Sequence, residues 1–298
     1  MLQAVFGDKE TIRQRHPISF LICPQSPLII EEKHTDAYLE MIGYDIPTVI
    51  MPMPMMGATA PGSMIGTVIQ GNCEVLSMLC LIQAAAPGNP VLYSPSLAII
   101  NPRDGRYAGG AIEGGLLSVA AVEMGRYYNL PVENTGIGTD HFVPGIQAGY
   151  EKAMTTLLQT AAWPDILMGA GLLGSATLLS LEQIIIDAEV FRLSKQASRG
   201  IPTGDSKWLD DVIAEIGPGG DYLAEMSTVK GIRGGEWYIN QLGVHQSYEI
   251  WEAKGKPSLL DEAREKVDHV LETHKPLPLG EDIERELDKI EARALSMV

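Results

Sequence analysis

The chain has 298 residues, 45% apolar and 20% charged, a composition that builds a packed core and excludes a disordered polypeptide. Its 22 basic and 38 acidic residues leave a net charge of −16. That surface repels phosphate backbones and anionic lipid, so neither nucleic acid nor membrane is expected as a partner. Three cysteines, Cys23, Cys73 and Cys80, make no disulfide framework, and a reduced, cytoplasmic protein is expected.

In chain order, MLQAVFGDKETIRQRH meets charge before an apolar run builds, unlike a leader or an anchor. Runs at 18–23, 48–51, 91–93, 132–134 and 165–168 read as strands. Four of them follow Pro17, Pro47, Pro90 and Pro131, an entry position that needs no ladder hydrogen bond from its own nitrogen. The most apolar stretch, 62–86, is interrupted by Gln70, Asn72 and Glu74 and reads as a core helix, not a membrane span. Leu116, Ala120, Val122, Met124 and Tyr127 form an apolar stripe, as do Tyr150, Met154, Leu157, Leu158 and Ala161 within 147–163. Over 180–199, Ser180 is the expected N-cap, Glu182 the first-turn carboxylate and Gly200 the stop. The alternation predicts an α/β protein with a parallel sheet, either open and doubly wound or a barrel. No G-x-G-x-x-G follows the first strand, and about five βα units fall short of the eight in a closed barrel. Charge is dense from Trp251 onward, and two helices, about 258–274 and 281–295, separated by KPLPLGED, read as a solvated extension.

In a parallel sheet the chemistry sits at strand exits. Here these are CPQSP (23–27), MPMPMMGATAPGS (51–63), YSPSLAIINPRDGRYAGGAIE (93–113), NTGIGTDHFVPGIQAGYE (134–151) and GAGLLGS (169–175). No lysine is expected near them, which counts against a Schiff-base aldolase. No His or Cys pair stands at metal-ligand spacing, so no metal site is expected. Tyr93, Tyr107, Phe142 and Tyr150 gather in or beside these loops, although only 6% of the chain is aromatic. Aromatic faces with a carboxylate, Asp140 or Glu113, suit a quaternary ammonium. The same aromatics equally suit the packing of a barrel core, and Met51, Met53, Met55 and Met56 suit a polarizable pocket wall, a protein-docking surface or plain packing. His141 is equally a hydrogen-bonding loop residue, and Asp140 equally an N-cap for a helix from about Val143.

The runs NTGIGTDHFVPGIQAGYEKAMTTLL (134–158), PMPMMGATAPGSMIGTVIQGNCEVL (52–76), PGNPVLYSPS (87–96), SLEQIIIDAEVFRLSKQASRGI (180–201), DDVIAEIGPGGDYL (210–223) and ELDKIEARA (286–294) resemble, in order, the trimethylamine methyltransferase family. The resemblance implies a TIM (β/α)8 barrel, here short of its N-terminal strands, with residues 1–298 as one barrel-type domain and helices at about 258–296 packed outside it. It implies a methyltransferase that moves a methyl group from a methylated amine to the Co(I) corrinoid (cobalamin) of a separate corrinoid protein. The chain carries no pyrrolysine, so it is similar to the branch whose substrates are quaternary amines such as glycine betaine. The nucleophile then belongs to the partner, and this chain is expected to hold no catalytic residue and no tightly bound cofactor.

Residue by residue, the TDHF run points to Asp140, His141 and Phe142, with Gln147 and Tyr150 one and two turns into the next helix and Tyr93 at another exit. The aromatics would hold the ammonium. His141, if protonated, or Arg103 would hold a substrate carboxylate. A partial barrel favours self-association into a homo-oligomer. The competing readings are a shortened, non-catalytic family member that binds or interacts without turnover, and a barrel lyase or isomerase, whose carboxylate–lysine or metal mark is absent.

Overall fold

The structure is a computed structural model, and it describes residues 1–297. Five three-residue strands stand parallel and side by side in chain order: β1 (Phe20–Ile22), β2 (Thr48–Ile50), β3 (Val91–Tyr93), β4 (Glu133–Thr135) and β5 (Ile166–Met168). A single parallel bridge, Tyr93 to Val132, joins β3 to β4. Between and after them run α1 (Glu32–Leu39), α2 (Met64–Ala85), α3 (Ile112–Tyr127), α4 (Ile146–Ala162) and α5 (Leu181–Ser198). Each predicted strand is present: 91–93 matches, 132–134 is shifted by one residue, and the other three are shorter at their ends. At Asp165 the reason is visible: its carboxylate accepts the Val132 N–H at 2.7 Å, so a side chain replaces the backbone there.

The protein is therefore mixed α/β. Among the described residues β1 and β5 do not pair with each other, so the sheet is open and no closed barrel is present. Two further two-residue ladders lie in the exit loops. Met55–Met56 pairs with Ala98–Ile99, and Leu172–Leu173 pairs with Leu178–Leu179.

Helix caps follow local chemistry. The Ser180 hydroxyl accepts the Gln183 N–H at 3.1 Å, and Gly200 at φ 68 ends the helix. Consecutive helices α2, α3, α4 and α5 pack as neighbours. The core forms where Ile22, Ile50 and Tyr93 of the strands meet Val75, Met78 and Ile82 of α2 and Leu117 and Ala121 of α3. Tyr93, expected at a strand exit, belongs to this core instead. It is 1% exposed, and its hydroxyl donates to Asn72 Oδ1 at 3.0 Å, while Asn72 Nδ2 donates to Tyr128 at 3.0 Å. Strand alternation is the cause, because Tyr93 pairs in register with Ile50 and shares its helix-facing side.

Helix α2 is long and apolar enough to cross a membrane by length and composition. One of its faces, including Glu74, is buried in the core. Glu74 accepts from Ser26 Oγ at 2.7 Å, from the Leu28 N–H at 2.9 Å and from Gln70 Nε2 at 2.9 Å, which straps the exit loop of β1 to the helix.

Beyond α5, α6 (Leu259–Thr273) starts on a Ser258–Asp261 capping box and packs on α5. Then α7 (Glu281–Leu295) meets the short helix Leu2–Phe6. Glu189 of α5 anchors the intervening segment by accepting from the Tyr238 hydroxyl at 3.0 Å and the Gln241 N–H at 3.1 Å. The chain exposes 18198 Å², against about 12,000 Å² for a compact monomer of this mass.

Gly125 marks the closest approach of α3 to the sheet, since a Cβ there would lie 2.3 Å from Val132 Cγ2. Gly114, on the same helix, has open space around it. Gly125→Ala is expected to destabilise by about 1–3 kcal/mol through overpacking. Gly114→Ala should be neutral or stabilising by up to about 1 kcal/mol. Urea denaturation of the two variants checks this contrast.

Candidate functional site

Three neighbouring strand exits enclose a cavity of about 310 Å³. The long loop after β3 contributes Asn101, Arg106 and Tyr107, the loop after β4 contributes Asp140 and Phe142, and the loop after β5 contributes Gly174, Ser175 and Thr177. Exits are where the sheet places loops free of ladder constraints, so three of them can converge on one volume.

Asp140 stands at the junction. Its Oδ1 accepts the Gly110 N–H at 3.1 Å and the Ser175 hydroxyl at 2.7 Å, which ties all three loops to one carboxylate. Glu151, in the second turn of α4, braces the same loop from behind. Its Oε2 accepts from Thr139 Oγ1 at 2.5 Å and from the Asp140 N–H at 3.0 Å, and its Oε1 accepts from Gln147 Nε2 at 2.9 Å. Among the described residues no lysine or arginine forms an ion pair with Asp140 or Glu151. Burial pushes the Tyr107 phenol up, and the Asp140 carboxylate adds to it.

The loop after β5 makes a left-handed turn through Gly174, Ser175 and Ala176, at φ 54, 54 and 67. It aims Gly174 N–H at His141 O (2.8 Å) and Ser175 N–H at Thr139 O (2.8 Å). A Cβ on residue 174 would lie 2.8 Å from Phe142 Cδ1, so glycine there makes room for the Phe142 ring. That ring is 60% exposed at the cavity mouth.

Beneath these loops lies an ion pair with no solvent access. Lys152 of α4 donates to Asp187 Oδ2 of α5 at 2.7 Å and to Ile137 O at 3.0 Å. Asp187 also accepts the Gly171 N–H at 2.7 Å and Gln183 Nε2 at 2.7 Å. The pair joins the exits of β4 and β5. Burial pulls the Lys152 ammonium below its ordinary value, against the opposing pull of Asp187. A lysine thus stands close behind two exits, contrary to the sequence expectation. Its donors are engaged with Asp187 and Ile137, which leaves it unsuited to Schiff-base chemistry.

The structure brings Asp140 and Phe142 together in the cavity and places Gln147 behind them as a partner of Glu151. The other sequence candidates fall elsewhere. His141 is in the loop, but its Nδ1 lies 2.7 Å from Val143 O, which makes that nitrogen a donor to its own loop. Tyr150 projects outward from α4, 56% exposed, and Glu113 is half-buried in the first turn of α3. Arg103 is exposed and engages Asn101 Oδ1 only through its backbone N–H, while Arg106, three residues on, faces the cavity. Asp140 is not an N-cap, because α4 begins at Ile146 after Gly145. Met51 is buried and Met53 is 53% exposed, and neither lines the cavity. Glu151, Ser175 and Arg106 were missed, although Glu151 lies one helical turn after Gln147 and the other two lie inside exit loops. Among the described residues no cluster of His, Cys, Asp and Glu could hold a metal ion.

The family model described as trimethylamine methyltransferase matches residues 1–297. The chain is 32% identical over 289 residues to trimethylamine methyltransferase MttB of Methanosarcina barkeri strain Fusaro, covering 97% of this chain and 58% of that protein. It is 32% identical over 290 residues to MttB of Desulfitobacterium hafniense strain DCB-2, with the same coverage. It is 29% identical over 284 residues to the glycine betaine methyltransferase of Desulfitobacterium hafniense strain Y51, covering 95% of this chain and 59% of that one. The chain thus spans a little under three fifths of these relatives' length.

Asp187→Asn should strand the Lys152 charge and cost about 3–5 kcal/mol. The double substitution Lys152→Met with Asp187→Leu should recover much of that loss, because it removes both charges and keeps volume. Guanidinium unfolding midpoints check both. Single variants within about 1 kcal/mol of the parent would show that the pair does not carry this weight.

Proposed function

Because the chain belongs to the trimethylamine methyltransferase family, we propose that it binds a methylated amine at the Asp140 cavity and delivers its methyl group to the Co(I) corrinoid of a separate corrinoid protein. The observation that carries this reading is the wall of that cavity: the Asp140 carboxylate, with no ion-pair partner, beside the rings of Phe142 and Tyr107. Each aromatic face attracts an ammonium by about 0.5–2 kcal/mol, and the carboxylate adds to it. A volume near 310 Å³ suits a small amine and is far too small for a corrin macrocycle, which supports a corrinoid held by the partner.

A quaternary amine is the proposed donor class, in keeping with the relative named glycine betaine methyltransferase. Methyl transfer breaks one C–N bond and leaves its electron pair on nitrogen. From a quaternary ammonium the leaving group is a neutral tertiary amine, so no acid is needed to assist it. A tertiary amine would have to leave as an amide anion. The residues of this chain then have to hold the ammonium, aim one methyl group outward and exclude water. The tight bracing of Asp140 by Gly110 and Ser175, and of its loop by Glu151, suits that work.

Five parallel strands in chain order with intervening helices support reading the sheet as part of a TIM barrel. The outward faces of α2, α3 and α4 expose Ile65, Ile69, Leu116, Ile146, Tyr150 and Met154. Together with the large exposed area, they support self-association. Three free thiols support a cytoplasmic location.

Calorimetric titration with tetramethylammonium tests the cavity. Asp140→Asn is expected to weaken binding about tenfold and Phe142→Ala about 2- to 30-fold. Affinity unchanged in both variants would place the cation elsewhere.

A further inference from the structure

The cavity lining carries both signs of charge. Asp140 and Phe142 come from the loop after β4, and Arg106, Asn101 and Tyr107 from the loop after β3. Arg106 is the single cation among the lining residues. Its Nε and Nη2 both donate to Asp104 Oδ2, at 2.9 and 2.6 Å, so one oxygen fixes the plane of the guanidinium. The Arg106 side chain is 76% exposed, and an ion pair that wet is worth little and exchanges cheaply. Asn101 Oδ1 accepts the Arg103 N–H at 3.0 Å, which leaves the Asn101 amide NH2 as a donor. The two cations that the sequence offered for a substrate carboxylate are not available to it. Neither Arg103 nor His141 lines the cavity.

Resting on the cation reading of the Asp140 cavity, we infer that Arg106 is the specificity-determining residue of this site: its guanidinium, with the Asn101 amide, receives a carboxylate carried one or a few carbons from the quaternary nitrogen. The substrate class is therefore zwitterionic. A donor without the carboxylate engages Asp140 alone and leaves Arg106 paired only to Asp104. Arginine suits the task because its planar fork matches two carboxylate oxygens, which a lysine point charge does not.

The test titrates glycine betaine and tetramethylammonium in parallel into the full chain, as wild type, Arg106→Gln and Arg106→Lys, with circular dichroism to confirm folding. Arg106→Gln is expected to lose about 10- to 100-fold in glycine betaine affinity, and tetramethylammonium affinity should move by less than about threefold. Arg106→Lys should recover part of the glycine betaine loss. Equal losses for both ligands, or no loss for glycine betaine, would overturn the Arg106 assignment while leaving the cation site standing. A wild-type chain that binds neither ligand would overturn the cation site and the assignment with it.

Discussion

A lysine and an aspartate without access to water hold the site together. Lys152 and Asp187 sit on consecutive helices, and each reaches past its partner to a strand-exit backbone, Ile137 on one side and Gly171 on the other. Burying two charges costs several kcal/mol each unless their hydrogen bonds are completed. Here Gln183 and the two backbone groups add hydrogen bonds to the pair. In this arrangement the loops after β4 and β5 are tied to one ion pair. Every polar contact of Asp140 with Ser175 depends on that alignment.

What the bracing achieves is a carboxylate with a fixed direction and no competing cation in contact. Two acidic groups, Asp140 and Glu151, converge near Gly110, which donates its N–H to Asp140 and has no side chain to keep Glu151 away. Backbone and hydroxyl donors satisfy both acids in part and leave their charge in place. A mobile carboxylate would collapse onto the first available arginine, and Arg106 is close enough for its charge to be coupled to Asp140. Asp104 instead takes two of that guanidinium's N–H groups.

Much of this was legible in the residues. Prolines before strands, the Ser180 cap and the stop at Gly200 each rest on chemistry within four residues of one another, and each appears where local chemistry puts it. Asp140 and Phe142 were found because a strand exit followed by a helix confines them to one loop. Errors arose where position depends on phase or distance. Tyr93 lies at the end of a strand, and a shift of one residue decides between exit and core. Arg103 and Arg106 share one loop, and only its folded path separates them. Glu151 and Lys152 are consecutive on α4, yet one braces the loop and the other is sealed beneath it. No periodicity argument predicts that division. A barrel short of its N-terminal strands was expected from resemblance, and the strands described here form an open row.

The most direct measurement of the central claim mixes the chain with glycine betaine and a reduced corrinoid protein and follows the Co(I) absorbance. The account predicts loss of the Co(I) signal with glycine betaine and little or none with trimethylamine, whose leaving group is poor. A folded chain that binds glycine betaine at the Asp140 cavity and still leaves the Co(I) signal unchanged would contradict it.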